Sequence, residues 1–254
     1  MKVNKLLQLL RDNAREAGTM PKALRAETTD DGEAHVYVYD VIDAWWGVSA
    51  AMVVSALAMA GDKPVHLHIN SPGGDVFEAR AIAAAVASHP AKVTAHIDGL
   101  AASAATDIMM AAAETRMVAG AMLMIHNSWT LAVGEKTDLR KTADLLEQVD
   151  GQILKDYVTR TGETSDQVRA WMDAETWFTS DEALAAGFVD AIDPNTQRAP
   201  ADRAQASAAR WNLSAYARPP KLEAPKVEPA EDLAAAAQLQ RNQNRARVAA
   251  LFAS

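Results

Sequence analysis

The sequence predicts an α/β protein built on a mostly parallel β-sheet, and two observations carry that expectation. Apolar, β-rich runs recur between residues 34 and 192. Ala-rich stretches with helical periodicity lie between them. Strand and helix therefore alternate as in stacked βαβ units.

Taken in order, the strand candidates are HVYVYDVI (35–42), PVHLHIN (64–70), KVTAHID (92–98) and RMVAGAMLMIHN (116–127). The helix candidates between them are 48–60, 75–88 and 101–113. Residues 44–61, AWWGVSAAMVVSALAMAG, carry no charge over the minimum membrane-spanning length. They are rich in Ala, Ser and Gly, which suits a helix buried on a sheet better than a membrane span. A longer polar helix is expected over 135–161, with Leu139, Leu145, Leu146, Val149, Ile153, Leu154 and Val158 recurring every three or four residues. Its length and its polar side make it an arm that projects or packs on another subunit, and Gly162 ends it. Two short helices near 165–173 and 180–186 and a last strand near 187–192 complete the pattern.

Beyond Asp193 the texture changes to Pro, Ala, Gln and Arg. This divides the chain into an N-terminal segment (1–33), a folded domain (34–193) and a tail (194–254). Within the tail, 194–229 reads as a semi-extended linker and 230–252 as a terminal helix.

Of 254 residues about half are apolar, enough for a sizeable core, and the net charge is −8 with no long basic cluster. Nucleic acid is therefore not expected as a partner. The chain has no cysteine, which removes disulfides, thiol catalysis and Cys-based zinc sites and is compatible with a reducing cytoplasm. The first 18 residues, MKVNKLLQLLRDNAREAG, lack the long apolar core and cleavage site of a signal peptide.

Three short stretches carry candidate chemistry. In GLAASAATDIMMAAA (99–113), Ser103 follows a strand and opens a helix, where unpaired N–H groups and the positive end of the dipole lie. Small neighbours at Ala101, Ala102, Ala104 and Ala105 leave room for a substrate backbone, although such a run also suits simple tight packing. In INSPGGD (69–75), Pro72 fixes a turn, Gly73–Gly74 permit unusual backbone angles and Asp75 caps the next helix. The reading is either an ordinary βα turn or half of an oxyanion hole, with the amides of Gly74 and Ala104 facing a developing negative charge. In LMIHNSW (123–129), His126 leaves an apolar strand, as a structural histidine or as a general base for Ser103. His96 lies inside its strand. His66 and His68 alternate onto one strand face without a third ligand at metal spacing, so no metal or other cofactor is expected.

Together, NSPGG (70–74), GLAAS (99–103) and MIH (124–126), in this order and on these elements, resemble the Clp protease proteolytic subunit (ClpP) family of serine peptidases. The segment WFTSDEALAAGFVD (177–190) is similar to that family's stretch after its long handle helix. The resemblance spans about 34–192. It implies a crotonase/ClpP-like stacked ββα superhelix with a long handle helix at 135–161. It implies homo-oligomeric rings enclosing a chamber, and peptide or protein substrates. It assigns Ser103 as nucleophile, His126 as base, and Gly74 and Ala104 as oxyanion amides.

The family's third triad member, an aspartate, falls at Thr176 here, in MDAETWF. Thr supplies no carboxylate to hold the imidazole. Asp173 and Glu175 are nearby but out of register. Either one of them substitutes, with Asp173 the candidate, or a Ser–His dyad runs with Thr176 as a weaker orienting group, or the site is slow. This segment and the tail are similar to the phage-encoded branch, the head maturation proteases. That branch implies an ATP-independent endopeptidase that cleaves scaffold or capsid protein in the host cytoplasm, including the interior of the assembling prohead. Two alternatives stand beside it: a housekeeping subunit fed by an ATP-driven unfoldase, and a catalytically weak assembly or scaffold component.

Overall fold

In the computed structural model, residues 24–29, 32–194, 211–214 and 216–220 are described. The expected terminal helix over 230–252 and residues 1–23 lie outside them. The order is β1 (Arg25–Thr28), β2 (Ala34–Val38), α1 (Ala50–Ala60), β3 (Val65–Ser71), α2 (Val76–Ala87), β4 (Val93–Ala102), α3 (Ala104–Met110), β5 (Glu114–Val118), β6 (Met122–Ile125), α4 (Lys136–Thr161), α5 (Ser165–Asp173), β7 (Thr176–Thr179), α6 (Ser180–Ala185) and β8 (Ala191–Asp193).

The strands form one sheet in the order β1-β2-β3-β4-β5-β8, with β6 paired to β4 and β7 to β6. Pairings are parallel except β1–β2 and β6–β7. This is the mixed α/β fold expected from the strand–helix alternation. The run 116–127, read as one strand, is two. A turn closed by Ala121 N–H donating to Val118 C=O separates β5 from β6. Strand β7 has only four residues and was absent from the expectation.

One sheet face is apolar. Val65, Leu67 and Ile69 of β3, Ala95 and Ile97 of β4 and Met117 of β5 are buried in a core with Val53 and Leu57 of α1, Ile82 and Val86 of α2 and Ile108 and Met109 of α3. The helices that supply this layer are capped by the residues their sequence offers. Ser49 accepts from Met52 N–H, Asp75 from Phe77 and Glu78 N–H, and Thr179 with Glu182 forms a capping box. Trp45 and Trp46 lie in the turn before α1 and are exposed, contrary to the expectation that they join a buried helix face. Among the described residues no helix is long and apolar enough to cross a membrane.

The opposite sheet face is polar and ring-rich. His35, His66, His68 and His96 stack across β2, β3 and β4, with hydrogen bonds His35–His68 (3.0 Å), His66–His96 (2.8 Å) and His68–Asp98 (2.8 Å). Burial and the neighbouring imidazoles of His68 and His66 lower His96 to about 4. The stack is satisfied by its own members and by carboxylates, and no His/Asp/Glu group able to hold a metal is found among the described residues.

Candidate active site

The pairing of β4 brings the chemistry together. Its first half, Thr94–Ile97, pairs with β5, whereas its end, Leu100–Ala102, pairs with β6. Ser103 follows β4 and His126 follows β6, so two adjacent parallel strands deliver both residues to one sheet end. The register is closed by Ser103 N–H donating to Met124 C=O at 2.9 Å. His126 Nε2 then lies 2.8 Å from Ser103 Oγ.

Ser103 has φ 53° and ψ −126°, a conformation few L-residues adopt. Such backbone strain costs on the order of 1–3 kcal/mol and persists only where the surroundings enforce it. The enforcing neighbour is the glycine turn. A Cβ on Gly73 would stand 2.5 Å from Ala102 O, 2.9 Å from Ser103 Cβ and 3.1 Å from Ala104 N. Glycine at 73 therefore lets the turn press against the serine's backbone.

Gly74, at φ +150°, is gripped from the other side. Ile42 N–H donates to Gly73 C=O (2.9 Å) and Asp75 N–H donates to Ile42 C=O (2.8 Å). These bonds leave the Gly74 N–H out of the turn's own network. Ala104 N–H, at the first position of α3, has no intrahelical partner.

His126 is held below its ordinary pKa, chiefly by burial, with the charges of Glu175 and Asp150 opposing. Its imidazole is thus neutral near pH 7, and Nε2 is available as a proton acceptor from a hydroxyl. The expected third residues do not reach the ring. Thr176 Oγ1 donates to Trp171 C=O (2.8 Å), and Asp173 Oδ1 accepts from Asn127 Nδ2 (2.8 Å). No carboxylate bonds His126 Nδ1 among the described residues. A cavity borders both Ser103 and His126, and Val76, Ala104, Ile153 and Tyr157 supply more of its wall.

The tail contributes a part that sequence reasoning assigned to a linker. Trp211, Leu213 and Tyr216 are buried in an apolar cluster with Leu100, Ala102 and Met124, the outer side of the β4–β6 pair. Tyr216 packs edge-on against His126 (centroids 5.4 Å, 71°) and Trp177 (5.7 Å, 86°), and its hydroxyl donates to Pro72 C=O. Glu175, at φ +50°, accepts from Ala217 and Arg218 N–H at 2.6 Å each. The segment behaves so because three large apolar side chains stand close together in an otherwise small and polar stretch, and that was the available signal. Tyr216→Ala is expected to lower unfolding stability by about 3–5 kcal/mol, a typical cost of an emptied aromatic site. Tyr216→Phe, which loses one hydrogen bond, is expected to cost only about 1 kcal/mol. Chemical denaturation of the two variants checks this, and equal losses would contradict the packing role.

Comparison with known proteins gives a consistent result. A model of the family described as Clp protease matches residues 33–196. The ATP-dependent Clp protease proteolytic subunit 1 of Leifsonia xyli is 30% identical over 145 residues, 56% of this chain and 74% of that protein. The ATP-dependent Clp protease proteolytic subunit 2 of Thermobifida fusca is 32% identical over 137 residues, 53% of this chain and 68% of that protein. Among solved structures, a mutant ClpP1 from Listeria monocytogenes superimposes with TM-score 0.57 at 23% identity, covering 64% of this chain and 92% of its own, a likeness of fold.

Proposed function

This chain belongs to the Clp protease family of serine-type peptidases, and we propose that it is an ATP-independent serine endopeptidase that cleaves scaffold or capsid protein as a phage prohead matures. The observation that carries the chemistry is the 2.8 Å contact between His126 Nε2 and the Oγ of a serine in a forced backbone conformation.

In the proposed reaction Ser103 Oγ attacks the scissile carbonyl carbon while His126 Nε2 takes the hydroxyl proton. The carbonyl oxygen becomes negative and receives the N–H groups of Gly74 and Ala104. His126 then hands its proton to the departing amine as the C–N bond breaks. Water, deprotonated by the same imidazole, releases the acyl group and restores the serine.

Thr176 and Asp173 are engaged elsewhere, so the site runs as a Ser–His dyad. Tyr216 steadies one flank of the ring, and Glu175 and Asp150 favour the imidazolium as it forms. Loss of the triad carboxylate costs up to about four orders of magnitude in turnover. A slow enzyme suits one round of cleavage per assembly, and this supports the maturation role.

Members of this family act on proteins and assemble into oligomeric rings. Leu139 and Leu145 on α4 are exposed, which supports the handle as a contact between copies. A second reading, a subunit fed by an ATP-driven unfoldase, draws on the names of the relatives, which are called ATP-dependent Clp protease proteolytic subunits. Incubating the purified chain alone with scaffold and capsid proteins separates the two. Cleavage without nucleotide, together with self-cleavage within 194–229 by intact mass, is the expected result. Hydrolysis that appears only with an unfoldase and ATP selects the second reading.

The acid limb of activity is expected below pH 6.5. His126 must be neutral to accept the serine proton, and burial lowers its pKa from 6.5, so kcat/KM falls only as pH drops through that lowered value. A profile of kcat/KM from pH 4 to 8 with a midpoint at or above 6.5 would contradict the assignment of His126.

A further inference from the structure

Asp107 sits on α3, four residues after Ser103, in a run that is otherwise Ala, Thr, Ile and Met. It is 92% buried, and its Oδ2 has no hydrogen-bond partner among the described residues. A small cleft beside Ser103 and His126, open in part to solvent, has Asp107 in its wall. Most of the remaining lining is apolar or small: Val76, Ala104, Ile153 and the ring of Tyr157.

A carboxylate buried without a partner is unfavourable, so its presence beside a reacting pair calls for a ligand that completes it. Among the described residues no group fills that place. The Tyr157 hydroxyl is bonded to Thr106 Oγ1 (2.6 Å), and the Arg80 guanidinium to Asp156 (2.9 Å). Burial accordingly pushes the Asp107 carboxyl up to about 6, the Arg80 charge only partly opposing it. Ser103 is the N-cap of α3 and Asp107 lies at its fourth residue, so the two stand about one helical turn apart, within the span of a Lys or Arg side chain. A substrate whose scissile carbonyl lies at Ser103 can thus extend the side chain on the acyl side of that bond into the cavity. An ammonium or guanidinium there pairs with the Asp107 carboxyl group.

Resting on the serine-peptidase reading above, we infer that Asp107 is a specificity-determining residue that selects lysine or arginine immediately before the cleaved bond. A neutral apolar side chain in the same pocket leaves the carboxylate unpaired, so selection works by rejection as well as attraction. An aspartate at the base of an otherwise apolar pocket serves the same purpose in trypsin.

The test uses peptide phosphonates that modify a serine nucleophile, identical except for lysine, arginine or norleucine at the terminal position, applied to the full chain. Intact mass gives the rate of adduct formation. The basic phosphonates are expected to react on the order of 10²-fold faster than the norleucine one. Asp107→Asn, an isosteric copy of the neutral acid and so compatible with the fold, is expected to bring the ratio near one. A broad fluorophosphonate, compared on wild type and Ser103→Ala, is the control. If it labels Ser103 but the basic phosphonates react no faster than norleucine, or if Asp107→Asn leaves their advantage intact, this inference is overturned and the protease reading stands. If it labels neither protein, the protease reading is overturned and this inference with it.

Discussion

Ser103→Ala is expected to lower peptide hydrolysis by about two orders of magnitude in kcat, because triad members act as a unit and a Ser–His dyad without the carboxylate has already lost most of what the serine contributes. The variant is expected to keep its fold. Alanine differs from serine by one oxygen, and the positive φ at 103 is imposed by the bond from Ser103 N–H to Met124 C=O and by the contact with Gly73, which do not involve Oγ. Substrate binding should survive as well, because the cavity wall and the Gly74 and Ala104 amides are unchanged. The measurement is intact mass after fluorophosphonate treatment beside a progress curve on a fluorogenic peptide. A single adduct on wild type and none on the variant is the expected outcome. A variant within tenfold of wild type would falsify the nucleophile assignment outright.

Gly74→Ala is expected to damage fold and chemistry together. The new Cβ would stand 2.1 Å from Ile42 O, 2.9 Å from Ile42 C and 3.0 Å from Ile42 N, all of them backbone atoms that cannot swing aside. It would also demand φ +150° of an L-residue. Together, overpacking and backbone strain predict a loss of about 3–4 kcal/mol in stability. With the Gly74 N–H as the oxyanion donor proposed above, its displacement is expected to cost about 10²–10³ in kcat. Gly61→Ala is the control. Gly61 has φ +63° but open space around it, so only the conformational cost, about 1–2 kcal/mol, applies there. Thermal unfolding and single-turnover kinetics on both variants separate the two contributions. Equal losses at the two positions would show that the close approach to Ile42 is unimportant.

Much of the site was legible because its signals are local. Pro72 and the glycine pair announce a turn, the Ala/Ser run announces a crowded strand-to-helix junction, and His126 closes an apolar strand. The helix over 136–161 was legible from its period, and its end from Gly162, which takes φ 74°. The missing parts depend on contacts far apart in sequence. Strand β7 has four residues, and its pairing with β6, not its own propensity, makes it a strand. Tyr157 reads as one more polar-helix residue until its ring is found buried against Phe188. Asp107 gave one available hint, a carboxylate inside a small apolar helix, but only burial shows that its oxygen goes unpaired. The tail aromatics looked like linker because the stretch around them is polar. Their partners, Leu100, Ala102 and Met124, lie about a hundred residues earlier in the chain.

That last separation also sets an order in time. Tyr216 is synthesised 90 residues after His126. At about 5–20 residues per second of synthesis, roughly 5–20 s pass in which Ser103 and His126 have been made but the ring that flanks the imidazole has not. The edge-on contact of the Tyr216 ring with His126 therefore forms only after that interval.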